Sequence, residues 1–176
     1  FIGYNFRISE LHAAVGLAQI KKLDTFLAIQ KKNHTALKNA LAQIPEVSFR
    51  RIPDESGDSC TFLSWFLPTE EATKAVVAEL KARNIVAGNF YWFVNNWHYI
   101  SKWDHLKNAV TLNSLHPDLK AAVIHHATKD FGASDAIMSR CISTAIGLTW
   151  TDEQLKTKCD QMVAVIQKVL SELKVA

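Results

Sequence analysis

The chain has 176 residues, of which 48% are hydrophobic, and 20 basic against 17 acidic side chains leave a net charge of +3. That is the size of one domain with its own core, and the charge is too small to argue for nucleic acid or an acidic membrane surface as partner. No run of five like charges occurs, and no apolar run nears the ~18 residues of a membrane span, so a charged tail and a spanning helix are excluded.

Near the start, Ser9 is placed to cap a helix, with Glu10 in its first turn and Ile8, Leu11, Val15 and Ala18 at helical spacing. Ala13, Ala14, Gly16 and Ala18 leave flat patches on which another backbone can close. Asp24 is read as the cap of a second helix over 25–43, carrying Phe26, Leu37 and Leu41, and Pro45 stops it. Residues 47–52 and 61–67 read as strands, joined by the turn-rich PDESGDS at 53–59. Thr69 caps a helix that runs to about Arg83, with Val76, Val77 and Leu80 on its buried side. Asn84 ends it, and a short strand is expected at 85–87. From Gly88 to about Asp130 the chain reads as irregular, and a strand follows at 141–146. Thr151 and Gln154 form a capping box for the final helix, whose stripe is Leu155, Cys159, Met162, Val163, Ile166, Leu170 and Leu173. Helices on a small, mainly antiparallel sheet, an α+β domain, are the expected architecture.

Three cysteines, Cys60, Cys141 and Cys159, are odd in number, far apart and without a CxxC. A reducing, cytoplasmic setting without a signal peptide is the expectation. Cys141 and Cys159 sit on apolar stripes and read as core. His98, His105, His116 and the adjacent His125 and His126 have no metal-ligand spacing, so satisfied or surface histidines are expected and no metal.

Two segments carry candidate chemistry. In the opening loop, Gly3 permits a tight backbone, Asn5 offers an amide, and Arg7 offers a planar fork suited to carboxylate or phosphate. With the N–H groups of the next helix these suit an anion; a capped loop with a surface salt bridge is the alternative. The second segment, NFYWFVNNWHYISKWDHL at 89–106, holds three Trp, two Tyr, two Phe and two His. Stacking faces and hydrogen-bonding groups suit a polar ring such as a sugar. An aromatic cluster pinning a long loop, or a dimer contact, is the alternative.

The stretch GYNFRISELHAAVGLAQIKKLD, residues 3–24, resembles a signature of the DegT/StrS-type sugar aminotransferases, with Ile8 and Ile20 where Met and Leu are usual. SDAIMSRCISTAIGLTWTDEQ, residues 134–154, is similar to the family's closing strand and final helix. The resemblance implies the small C-terminal domain of a fold type I, aspartate aminotransferase-like enzyme that uses pyridoxal 5'-phosphate. It implies residues 1–24 as motif loop and linking helix, and 25–176 as the small domain. It implies a homodimer in which Asn5 reaches the cofactor phosphate of the other subunit. The Schiff-base lysine is then expected N-terminal to Phe1, so no catalytic residue is assigned, and the chain is expected to be a fragment of a longer polypeptide. Its implied reaction moves an amino group from glutamate to a keto-sugar. Arg7, Trp92, Asn96, Trp97, His98 and Tyr99 are the candidate substrate contacts. The aromatic segment departs from the family's usual Pro-rich stretch and looks more like the branch that aminates C8 of a 3-deoxy-octulosonate in lipopolysaccharide biosynthesis. Two alternatives stay open: a sugar 3-dehydratase of the same family, and a non-catalytic α+β interaction module.

Overall fold

The computed structural model describes residues 7–85, 88–94 and 98–173. Helix α1, Glu10–Ile20, starts where Ser9 caps it by accepting from the His12 N–H. None of its residues is buried. Ile8, Leu11, Val15, Leu17 and Ile20 are all more than half exposed. Helix α2, Leu23–Leu41, begins one residue before the expected cap. Its N-cap is Lys22, without a side-chain bond, and Asp24 lies in the first turn. There Asp24 favours the helix dipole instead of capping it.

The sheet has four strands in the order β1-β2-β4-β3, and every neighbouring pair is antiparallel. They are β1 (Ser48–Phe49), β2 (Phe62–Phe66), β3 (Asn89–Phe90) and β4 (Cys141–Ala145). β2 and β4 form the central pair, with Leu63 opposite Thr144 and Trp65 opposite Ile142. Helices α3 (Glu70–Ala82) and α7 (Asp152–Leu173) pack with α2 on this sheet. Leu37 and Leu41 of α2, Trp65, Val76, Ile142, Met162 and Ile166 fill the space between them. Burying a side chain of this kind contributes roughly 1.5–3 kcal/mol, so the central pair and the three helices are where stability concentrates.

Local chemistry explains most of the boundaries. Thr69 caps α3 by accepting from the Ala72 N–H, and the Thr151–Gln154 capping box forms at the start of α7. Asn84, at φ 51, ends α3. The Asn84 N–H bonds to the Lys81 carbonyl and the Ile85 N–H to the Leu80 carbonyl, a Schellman arrangement that seats Ile85 in the core.

Two expectations change. β1 is two residues long where six were expected. The strand expected at 85–87 falls mostly outside the described residues, and a strand, β3, lies at 89–90. Gly88, at φ 114, turns the chain into β3, and its carbonyl accepts from the Ala145 N–H. The positive φ disfavours any side chain there, and a Cβ on Gly88 would also crowd that of Ala145 at 3.2 Å. Finally, the segment taken as irregular contains helix α4 (Asp104–Lys107) and the three-turn helix α5 (Pro117–Ala127). Helix α6 (Gly132–Met138) follows it. In α5 only Ala127 is buried, so no apolar stripe announces the helix.

Candidate functional site

The aromatic segment leaves the sheet at β3 and is organised as two ladders of rings. On one side Phe90 stacks on Trp92, with centroids 4.9 Å apart and planes 10° from parallel. The His98 ring meets Trp92 edge-on at 4.5 Å. On the other side Tyr91, Phe93 and Tyr99 follow one another at 6.1 and 6.0 Å. The Lys102 ammonium lies 4.4 Å from the Phe93 centroid, within cation–π reach.

The two ladders differ in what holds them. Tyr91 and Tyr99 are buried, and both hydroxyls are spent on the following segment. Tyr91 donates to the Ser139 carbonyl at 2.8 Å, and Tyr99 donates to the Asp135 carboxylate of α6. Burial, with the Glu70 charge adding to it, pushes the Tyr91 hydroxyl up to about 12. Tyr99 is also raised, by burial first and by its bond to Asp135. Phe90, Trp92 and His98 are the accessible set: Phe90 and His98 are exposed and Trp92 is half-buried. The loop thus has a tethered side and an accessible side. The tyrosine ladder pins it, and the Phe90–Trp92–His98 ladder presents a stacking face with an imidazole at its edge.

Below the loop a buried relay ties it to the core. The Trp65 Nε1–H donates to Thr144 Oγ1 at 2.9 Å, and that hydroxyl donates to the Asn89 amide oxygen at 2.5 Å. Asn89 immediately precedes the ladders, so its orientation fixes where they begin. This relay was not anticipated from the sequence. A Trp and a Thr that meet diagonally across neighbouring strands, 79 residues apart, leave no local pattern.

Of the residues singled out from sequence, Trp92, His98 and Tyr99 come together in this loop. Arg7 is exposed on the approach to α1. Asn5, Asn96 and Trp97 lie outside the described residues. His105, His116, His125 and His126 are exposed, while Cys141 and Cys159 are buried in the core, where burial raises their thiols. Among the described residues no set combines a phosphate cradle with a slot for a pyridine ring. They do not by themselves make a pyridoxal-phosphate site, and no catalytic step is assigned to them. A concavity of about 610 Å³, lined by residues including Asn84, Thr149, Trp150 and Lys158, contains none of the loop aromatics. No helix among the described residues is long and apolar enough to cross a membrane.

A model of the DegT/DnrJ/EryC1/StrS aminotransferase family matches residues 1–163. A GDP-4-keto-6-deoxy-D-mannose 3-dehydratase from Yersinia pseudotuberculosis is 33% identical over 100 residues, which are 50% of this chain and 24% of that protein. The lipopolysaccharide biosynthesis protein RfbH of Salmonella typhimurium is 35% identical over 65 residues, 37% of this chain and 14% of that protein. The crystal structure of 3-amino-5-hydroxybenzoic acid (AHBA) synthase superposes with a TM-score of 0.61 at 22% identity, covering 96% of this chain and 41% of that one. The chain thus spans a quarter or less of these curated relatives and under half of the solved structure.

Proposed function

The chain belongs to the DegT/DnrJ/EryC1/StrS aminotransferase family, and from that premise we propose that it is the C-terminal part of an enzyme that acts on a keto-sugar. The family's cofactor is pyridoxal 5'-phosphate, and the fold is that of a fold type I enzyme. When bound, the cofactor supplies an electron sink for chemistry beside an amino group. In this reading residues 1–24 are the motif loop and linking helix, and 25–176 the small domain. Asn5 reaches the cofactor phosphate of a second subunit in a homodimer, Arg7 stands near it, and the setting is cytoplasmic. The observation that carries the reading is the motif at residues 3–24 within a family match over 1–163.

Amino transfer from glutamate is the leading reaction. Trp92 and His98 then hold the sugar, one by stacking and one by a hydrogen bond. Asn96 and Trp97 belong to the same loop, and Tyr99 positions it from beneath. Amination at C8 of a 3-deoxy-octulosonate rests on the aromatic segment alone. Sugar 3-dehydration is the second reading, favoured by the names of two relatives at 33% and 30% identity.

The full protein that carries this chain decides between them. Incubated with glutamate alone, an aminotransferase converts its cofactor to the amine form and releases one equivalent of 2-oxoglutarate. A 3-dehydratase instead consumes GDP-4-keto-6-deoxymannose with loss of the 3-hydroxyl. In the dehydratase reading a His replaces the Schiff-base lysine, so borohydride reduction of the loaded protein labels one lysine for the first reading and none for the second. No bound cofactor after reconstitution would remove both.

A further inference from the structure

We infer that His34, Asp58 and Cys60 form a binding site for a zinc-class divalent ion, joining α2 to the loop between β1 and β2. One ligand atom from each residue lies within 4.8 Å of the other two. His34 and Cys60 are more than nine-tenths buried, at 6% and 5% exposure, and Asp58 is partly buried. Imidazole, carboxylate and thiol are the three side-chain donors that zinc takes, and a thiolate disfavours calcium and magnesium.

The loop presents these donors by its own hydrogen bonds. The Asp54 carboxylate accepts from the Ser56 N–H and hydroxyl and from the Gly57 N–H, which fixes the turn before Asp58. Asp58 Oδ1 accepts from the Cys60 N–H at 3.0 Å. Its other oxygen, Oδ2, is buried and has no hydrogen-bond partner. An unpaired buried carboxylate oxygen is costly, and a cation bound there would satisfy it. Cys60 holds φ 57, a left-handed conformation uncommon for a residue with a side chain, and its thiol donates only to the Asp58 carbonyl at 3.6 Å. Strain kept beside an unsatisfied ligand atom fits a loop shaped for a ligand.

Tetrahedral bonds of ~2.0–2.3 Å place ligand atoms about 3.5 Å apart, so the trio closes on an ion with side-chain shifts of about an ångström. A concavity of about 510 Å³, lined by residues including Lys31, Ser56, Asp58 and Ser59, opens on the Asp58 side of the trio. Lys31, Lys38, Arg50 and Glu55 also face this region, so net charge does not draw the cation in. Affinity must come from the three bonds. On binding, the Cys60 S–H bond breaks, a metal–sulfur bond forms, and the proton leaves to solvent.

Cobalt(II) titration of the tag-free, chelator-treated full protein tests the site. One equivalent should give the visible bands of tetrahedral cobalt and a thiolate charge-transfer band, and one equivalent of zinc should displace both. Cys60→Ser should lose the charge-transfer band, while Cys159→Ser keeps it. Even outer-shell losses weaken metal sites roughly 10–100-fold, so Asp58→Asn and His34→Gln should weaken binding by at least ~10-fold. Zinc should raise the melting temperature of the wild type and not that of Asp58→Asn. Absence of the bands in the wild type overturns the site, as does their survival unchanged in Cys60→Ser or in Asp58→Asn.

Discussion

Tyr91 shows how one hydroxyl carries both structure and a titration. It is buried, it bonds to the Ser139 carbonyl, and its pKa stands near 12 against an ordinary 10.0. A value raised in the folded state gives stability that is full below pH ~10 and is lost as the pH rises towards ~12. The urea midpoint should therefore fall across that window, and Tyr91→Phe should fall less steeply from a lower starting stability. A wild-type midpoint that is flat over the window would show that the hydroxyl is solvated. His98 and Trp92 belong to the other ladder, where the expected effect is on turnover. His98→Ala should lower kcat/KM for the sugar by about 10–100-fold if its partner is charged, from a lost bond of about 1.5–3 kcal/mol. Trp92→Ala removes a stacking face of about 1 kcal/mol and should cost less. Equal drops in melting temperature with unchanged sugar kinetics would make the ladder a packing device. The candidate site was only partly legible at this scale. Ring content marked the loop, but which rings face out depends on Ser139 and Asp135, far along the chain, as tether points.

Among the elements, those with periodic apolar faces were readable and the others were not. α7 followed its stripe from Leu155 to Leu170, although Val165 and Val169 also turn out buried. α5 was missed because its helix is set by Pro117 at the first turn and by the His116 ring accepting from the Asp118 N–H. Leu119 stays exposed, Val123 and Ile124 are half-buried and only Ala127 is buried, so its apolar face is too weak to mark the helix. β3 at 89–90 was not readable, because it is two residues long and pairs with β4 some fifty residues on. The end of α3 was readable, since Asn is the side chain that best tolerates the left-handed region after glycine. There Asn84→Gly should be at least as stable as the wild type. Asn84→Val should lose about 1–2 kcal/mol, measured by urea denaturation, because its branched side chain is forced into a positive φ. A neutral Asn84→Val would mean that α3 ends by some other geometry.

For the whole molecule, α1 stands apart from the core that the other long helices share. Its large apolar side chains are exposed and none of its residues is buried. Deleting residues 1–21 should leave the unfolding free energy of the remaining chain within about 0.5 kcal/mol, as expected for surface changes away from the core. A large loss of stability would show that α1 supports the core after all. Composition and stripes made the α+β architecture legible, because sheet and helices bury the same apolar residues that define their periods. The strand order was not legible. It depends on pairings such as Leu63 with Thr144, which no local pattern encodes.

That order has an evolutionary consequence. β3 and β4 are sheet neighbours, so everything from Tyr91 to Arg140 is one long connection within a single hairpin. Closing a loop costs only about 0.6 kcal/mol more each time its length doubles. The sheet can therefore accept this insert, a shorter one or a different one with little change in its own stability. Relatives can differ by wholesale exchange of this one cassette, while the scaffold beneath it drifts on its own clock.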